Sequence, residues 1–138
     1  MEKTLVLIKP DAFGKGHAGA ILKIYEDAGF KILAAKVMRM TPELAAKHYV
    51  EHIGRPYYAA LVDFMTSAPI MAVVLAGDDV IKKVRALNGA TNPAEAAEGT
   101  IRKLYAEDKT KNAVHASDSK ESAAREIPIF FGAYEIFD

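Results

Sequence analysis

The segment NAVHASDSKESAAREIP, Asn112 to Pro128, places one histidine, His115, between a short apolar run and a cluster of small hydroxyl and acidic residues. An imidazole at that junction has three uses: a hydrogen-bonded core residue, a metal ligand or a nucleophile. Ser117 and Glu126 lie near enough in sequence for a helix to bring them back toward the ring. A carboxylate on one ring nitrogen fixes the tautomer and leaves the other nitrogen free to attack. His115 also directly follows a long segment that holds possible anion ligands.

Two further constellations compete for the chemistry. HYVEH, His48 to His52, fits the H-x-x-E-H pattern of inverted zinc peptidases, with His48 and His52 one helical turn apart and Glu51 as base. Those enzymes need another carboxylate ligand and a much larger chain. The expectation is therefore surface histidines on an amphipathic helix, with His52 in reach of a ligand. The second constellation is basic. Lys9 ends a strand, Arg85 lies in the last turn of a helix, and Thr91 and Arg102 sit in or beside the irregular segment. Arginine offers a planar fork of donors to phosphate and lysine a compact charge. Singly each reads as a solvated charge; only their convergence would make a phosphate site. GKGHAG matches G-x-G-x-x-G by letter, but no acidic residue closes the following strand, and no P-loop is present.

The elements that must position these residues follow from apolar periodicity. TLVLIKP reads as a buried strand ending before Pro10, in a turn carrying Asp11, Gly14 and Gly16. Ile21, Ile24, Tyr25 and Ala28 have helical spacing, and Gly29 stops that helix. FKILAAKVMRM is a second strand. Thr41 and Pro42 open a helix holding His48, Tyr49 and His52, and a break at Gly54–Pro56 separates it from another, Tyr57 to Met65. PIMAVVLAG is a third strand, after which Asp78 caps a helix that stops at Asn88–Gly89. Residues 88–112 show little periodicity, a length of connection that is usually functional or disordered. NAVHA is a fourth strand. A helix from about Ser119 to Glu126 follows, with Asp118 and Glu121 in capping-box spacing and Pro128 as its end. The order β-α-β-α-α-β-α-loop-β-α suggests an α+β, ferredoxin-like sandwich. Its four-stranded antiparallel sheet would carry helices on one face and a long loop before the last strand.

The whole chain narrows the classes. Its 138 residues, 51% apolar and 26% charged, fit one domain, 1–138, with a real core. Eighteen basic and eighteen acidic residues cancel, so no global field points to nucleic acid or membrane. The absence of cysteine excludes disulfides and thiolate metal sites and is compatible with a reducing cytosol. No apolar run approaches signal-peptide or membrane-span length, so a soluble, cytoplasmic protein is expected.

NAVHASDS closely resembles the active-site signature N-x-x-H-G-[SA]-D-[SA] of nucleoside diphosphate kinases. TLVLIKPDA, HYVEHIGRPYYAALVDFMTSAP, GATNPAEAAEGTIR and SKESAAREI resemble the same family in the same order, across nearly the whole chain. The resemblance implies transfer of the γ-phosphoryl group of a nucleoside triphosphate, typically ATP, to a nucleoside diphosphate through phosphorylated His115, with broad base tolerance. It further implies that Glu126 orients the ring with help from Ser117, and that Tyr49 lies beside the nucleophile. Lys9 and Asn112 would contact the ribose hydroxyl region, Lys9 also the transferred phosphate. Arg85, Thr91, Arg102 and His52 would hold the phosphates, and Tyr57 would stack on the base. A Mg²⁺ ion would ride on the phosphates, with Asp118 at most a water-mediated neighbour. The resemblance also implies a homo-oligomer, a hexamer or a tetramer built from a common dimer. A catalytically silent nucleotide-binding or regulatory module on the same scaffold is the alternative. Four places depart from the family pattern: Ala116 stands where glycine is usual, Tyr57 where phenylalanine is usual and Ile53 where a polar or charged residue is common, and RKLYA replaces the more usual acidic-aromatic sequence after the arginine.

Overall fold

A computed structural model describes residues 1–138. Strands β1 (Glu2–Ile8), β2 (Lys31–Met38), β3 (Ile70–Gly77) and β4 (Val114–Ala116) form one antiparallel sheet in the order β2-β3-β1-β4. The helices are α1 (Pro10–Gly14), α2 (Ala18–Asp27), α3 (Pro42–His48), α4 (Tyr58–Thr66), α5 (Val80–Asn88), α6 (Ile101–Tyr105) and α7 (Lys120–Phe130). The four-stranded antiparallel α+β architecture expected from the sequence is present.

Coverage of the sheet differs from expectation: helices pack on both faces, not one. Alternate residues of β1 enter two separate cores. Val6 and Ile8 join Ile21 and Tyr25 of α2 and Val80 and Val84 of α5. Leu5 and Leu7 join Ala45 of α3, Met65 of α4 and Phe130 of α7. That is why β1 and β3 read as unbroken apolar runs rather than alternating ones. Each such fully buried aliphatic side chain contributes roughly 1.5–3 kcal/mol.

Several boundaries move for local reasons. Asp11 lies in α1, whose first position is Pro10, where a missing N–H is harmless. The helix from Thr41 ends at His48, and Val50–His52 is a single 3₁₀ turn. Asp78 does not cap α5; Asp79 holds that position with a positive φ of 55° and no side-chain cap. Ser119, not Asp118, caps α7 by accepting from the Ser122 N–H. Pro128 does not end α7, which runs to Phe130. Proline removes one backbone donor, yet the Phe131 N–H still reaches the Ile127 carbonyl. The segment 88–112 is more ordered than expected. It contains a 3₁₀ turn, Pro93–Glu95, and α6, capped by the Thr100 hydroxyl.

Gly89 joins α5 to that segment at φ 85°, and a Cβ there would lie 2.6 Å from Thr100 Oγ1 and 2.7 Å from Thr100 Cβ. Gly89→Ala is expected to lower stability by about 2–4 kcal/mol, combining left-handed strain with overpacking. The check is the denaturant midpoint at unchanged m-value.

Candidate active site

The register of the sheet decides where His115 points. β1 pairs Leu7 with His115, and residues directly opposite across a ladder share a face. Leu7 belongs to the core under α3, α4 and α7. The imidazole therefore faces α3 and α7, while Val114 and Ala116 enter the opposite core.

On that face His115 meets two partners. Nε2 lies 2.8 Å from Glu126 Oε1, and Glu126, on α7, is buried. A carboxylate only accepts, so Nε2 donates and Nδ1 keeps the lone pair. The Ser117 hydroxyl donates to the same oxygen at 2.9 Å, while its own oxygen accepts from the Leu5 N–H at 3.3 Å. The second partner is His48, which the sequence placed on the surface. It is only 3% exposed, and its ring stands edge-on to His115 with centroids 4.6 Å apart. One helical turn after buried Ala45, it lies on the core-facing side of α3; that i, i+3 relation was the available signal. His48 and His52 form no pair: the helix ends between them, and His52 Nδ1 instead contacts the Tyr57 hydroxyl.

Burial and neighbouring cations set the protonation of the floor. Desolvation, reinforced by His115, Arg125, Lys9 and His52, pushes the His48 pKa down to about 2, so its ring stays neutral. Both of its ring nitrogens lack a partner. Tyr49, packed against His48, has a buried hydroxyl whose pKa is raised by burial and by Glu126. Lys9 is lowered to about 8 by burial first and Arg102 second, against the raising effect of Asp11. His48, His115 and Glu126 present ligand atoms within 4.8 Å of one another. Within this group Glu126 Oε1 already accepts from both His115 and Ser117.

The other predicted residues converge on one cleft of about 540 Å³, within the size range of small-ligand sites. Lys9, Tyr49, His52, Tyr57, Arg85, Thr91, Arg102, Asn112 and Asp118 all line it with His115 and Glu126. Lys9 Nζ donates to Asn112 Oδ1 at 2.8 Å, and the Asn112 amide donates to the Thr91 and Lys109 carbonyls. Arg85 reaches the Ala116 carbonyl at 3.4 Å. Arg102 is committed beyond its predicted role: three of its N–H groups donate to the carbonyls of Asn112, Gly89 and Val114. It ties the long segment to β4 while bordering the cleft. Ser117, predicted beside the ring, acts from beneath through Glu126 and does not line the cleft. Asp118, exposed at the rim, is held below the usual carboxylate range chiefly by the Ser122 hydroxyl. Tyr57 is half exposed at the mouth. Asp11 and Arg125 were not singled out from the sequence. Asp11 accepts from the Ala113 N–H, and Arg125 donates to the Lys47 and His48 carbonyls.

Ala116 does not strain the strand. Its φ is not positive, and its methyl is buried in the core. The strained position is Ala113, with φ 74°.

The nucleoside diphosphate kinase family model matches residues 2–136. A nucleoside diphosphate kinase of Listeria innocua is 49% identical over 136 residues, covering 99% of this chain and 92% of that protein. One from Desulforamulus reducens is 46% identical over 138 residues, covering 100% and 93%. Among solved structures, the Aquifex aeolicus nucleoside diphosphate kinase superposes with TM-score 0.95 at 48% identity, covering 98% of each chain. That of Halobacterium salinarum, solved in complex with CDP, gives TM-score 0.96 at 42% identity, covering 99% of this chain and 91% of that one.

The neutral, buried His48 makes stability depend on pH. Its folded pKa lies below the unfolded value, so the unfolded chain takes up the proton first and stability falls as pH drops below about 6.5. Between pH 7 and pH 5 the wild type is expected to lose about 2 kcal/mol through this group. His48→Phe is expected to abolish that component while matching or exceeding wild-type stability at pH 7. Denaturant unfolding of both proteins across this range is the check; parallel pH profiles would exclude the assignment.

Proposed function

The chain belongs to the nucleoside diphosphate kinase family, and on that premise we propose that His115 carries the phosphoryl group between nucleotides on Nδ1. The activity is that of a nucleoside diphosphate kinase, and the comparisons favour it over a silent module on the same scaffold. The observation that carries the residue assignment is the bond from His115 Nε2 to buried Glu126 at 2.8 Å. It consigns one nitrogen to the protein and leaves the other to the substrate.

In the first half-reaction the Nδ1 lone pair attacks the γ-phosphorus of a nucleoside triphosphate. The N–P bond forms as the bond to the β–γ bridging oxygen breaks, and the diphosphate leaves with that oxygen. The positive charge arising on the ring is shared with the Glu126 carboxylate through the Nε2 proton. A second diphosphate bound in the same place attacks through a terminal β-phosphate oxygen and restores the free imidazole. Donor and acceptor use one site in turn, which is a ping-pong cycle. Arg85 and Lys9 offset charge on the phosphate oxygens, with His52, Arg102 and Thr91 lining the cleft beside them. Lys9 and Asn112, already bonded to each other, face the ribose region. Tyr49 stands next to His48 and narrows the floor beside the ring. Tyr57 offers a ring face to the base, and stacking without edge contacts discriminates weakly among bases.

A magnesium ion fits this cleft at its rim. Asp118 is ionised and exposed there, a hard oxygen donor of the kind Mg²⁺ takes directly or through water. Bound with the nucleotide, such an ion neutralises phosphate charge. Self-association is a further part of the proposal. Exposed Val37 lies on edge strand β2 and exposed Phe137 and Tyr134 on the tail, where the Phe137 N–H donates to Leu33 of β2. No helix is long and apolar enough to cross a membrane.

The decisive experiment incubates the purified protein with γ-labelled ATP and Mg²⁺, then adds GDP. An acid-labile phosphoenzyme that transfers its label to GDP is expected, with both steps lost in His115→Ala. A wild type that transfers phosphate without this intermediate would overturn the assignment. Because the ammonium of Lys9 deprotonates near pH 8 in the free protein, kcat/KM is expected to fall as pH rises through that value. Lys9→Arg, which keeps its charge, should shift the fall upward in pH; an unchanged profile would remove Lys9 from the phosphate site.

A further inference from the structure

Two residues before the nucleophile, the main chain takes a conformation that alanine avoids. Ala113 has φ 74° and is fully buried. The Val114 N–H donates to the Asn112 carbonyl at 2.9 Å, so residues 112–114 form a three-residue γ-turn of the rare, strained kind. A non-glycine residue stays in that region only where its surroundings over-determine it.

The restraints converge from three residues. The Lys9 N–H donates to the Ala113 carbonyl at 2.8 Å. Arg102 holds the carbonyls on both sides, those of Asn112 and Val114. The Ala113 N–H donates to Asp11 Oδ2 at 3.1 Å, and Asp11 comes from α1, just past the end of β1. Asp11 is the only one of these groups that occupies the Ala113 N–H itself. Its other oxygen, Oδ1, is buried without a partner. The side chain as a whole is partly buried, and its one bond to another segment is the one to Ala113.

What the turn sets is chemical. Asn112, on its first side, carries the amide that holds Lys9. Val114, on its other side, starts β4 and is followed directly by His115. A flip of Ala113 to negative φ would rotate the Asn112 side chain away from Lys9 and shift the start of β4.

We propose that Asp11 is a positioning residue for phosphoryl transfer: by holding the Ala113 N–H it keeps the strained turn that aims His115 and Asn112 into the cleft. This rests on His115 being the nucleophile, and it adds a group that touches neither substrate nor the reacting ring. Removing the acceptor misaligns the attacking nitrogen, and misplacement of this order costs rate more than binding.

The test compares Asp11→Ala, Asp11→Asn, Ala113→Gly and the double variant Asp11→Ala/Ala113→Gly. Single-turnover labelling of His115 by ATP, steady-state kcat and KM, and hydrogen exchange of the Ala113 amide are read in each. Asp11→Ala is expected to slow phosphoenzyme formation and kcat by about 10- to 100-fold, with KM nearly unchanged and the Ala113 amide exchanging faster. Asp11→Asn keeps an acceptor oxygen and should stay within about threefold of wild type. Glycine tolerates positive φ, so the double variant should recover at least about threefold over Asp11→Ala. Equal impairment in Asp11→Asn and Asp11→Ala would overturn the proposal, because the charge and not the hydrogen bond would then matter. So would a double variant no faster than Asp11→Ala, or a loss confined to KM. A wild type that forms no phosphoenzyme would instead remove the nucleophile assignment beneath it. If Asp11→Ala does not fold, the double variant is read against Ala113→Gly: faster exchange of the residue 113 amide and slower phosphoenzyme formation are expected in the double variant, and equal values in the two would overturn the proposal.

Discussion

A strand of three residues, hydrogen-bonded to a neighbour along one edge only, has to hold an imidazole still. β4 pairs with β1 through Val6, Leu7 and Ile8 and with nothing on its other side. So short a ladder cannot supply rigidity by itself. The rest comes from side chains that bond its main chain. Arg102 binds the Val114 carbonyl, Arg85 the Ala116 carbonyl, and Asp11 the turn before the strand. Ser117 extends the pairing by one step, with its N–H on the Leu5 carbonyl and its hydroxyl accepting from the Leu5 N–H. Arg102, Arg85 and Asp11 belong to three different helices, α6, α5 and α1, so the position of His115 is a property of the whole fold.

The electrostatics repeat this division of labour. The chain carries no net charge, yet its cleft gathers Lys9, Arg85 and Arg102 while the carboxylates nearest the ring are engaged internally. Glu126 serves His115 and Ser117, and Asp118 accepts from Ser122. His48 and Tyr49 form a floor that burial keeps uncharged. A polyanion entering the cleft therefore meets cations at the walls and no free carboxylate at the floor. Low-dielectric surroundings strengthen those wall contacts, and phosphoryl transfer depends chiefly on such placement of charge.

The cleft residues were readable because each kept a local signature. NAVHASDS names His115 and Asn112 by spacing, and the family resemblance extends to Lys9, Tyr49, Arg85, Thr91, Arg102 and Glu126. All of them reach one cleft. His48 was misread because HYVEH looked like one continuous helix; the turn to 3₁₀ geometry after Tyr49 and the rotation of His48 toward Phe130 are set by packing. Arg102 was read as a phosphate ligand alone, since a guanidinium bonded to three carbonyls has the same letter as one facing solvent. The strain at Ala113 was invisible for the same reason: alanine ordinarily signals helix or core, whereas attention fell on Ala116, whose backbone is relaxed.

By itself the sequence determined the alternation of strands and helices, the candidate nucleophile with its carboxylate, and the family. These depend on apolar periodicity and on spacings within a few dozen residues, which survive without knowledge of the fold. Only the tertiary structure decided which face of the sheet His115 would occupy, which nitrogen would stay free, and that helices would cover both faces. Those outcomes depend on strand register and on contacts more than a hundred residues apart, such as Asp11 with Ala113 and Leu5 with Ser117. A one-residue slip of β4 against β1 would have turned the imidazole into the opposite core, away from Glu126. Nothing local to the segment could have specified that register, because it is the tethers from elsewhere in the chain that hold it.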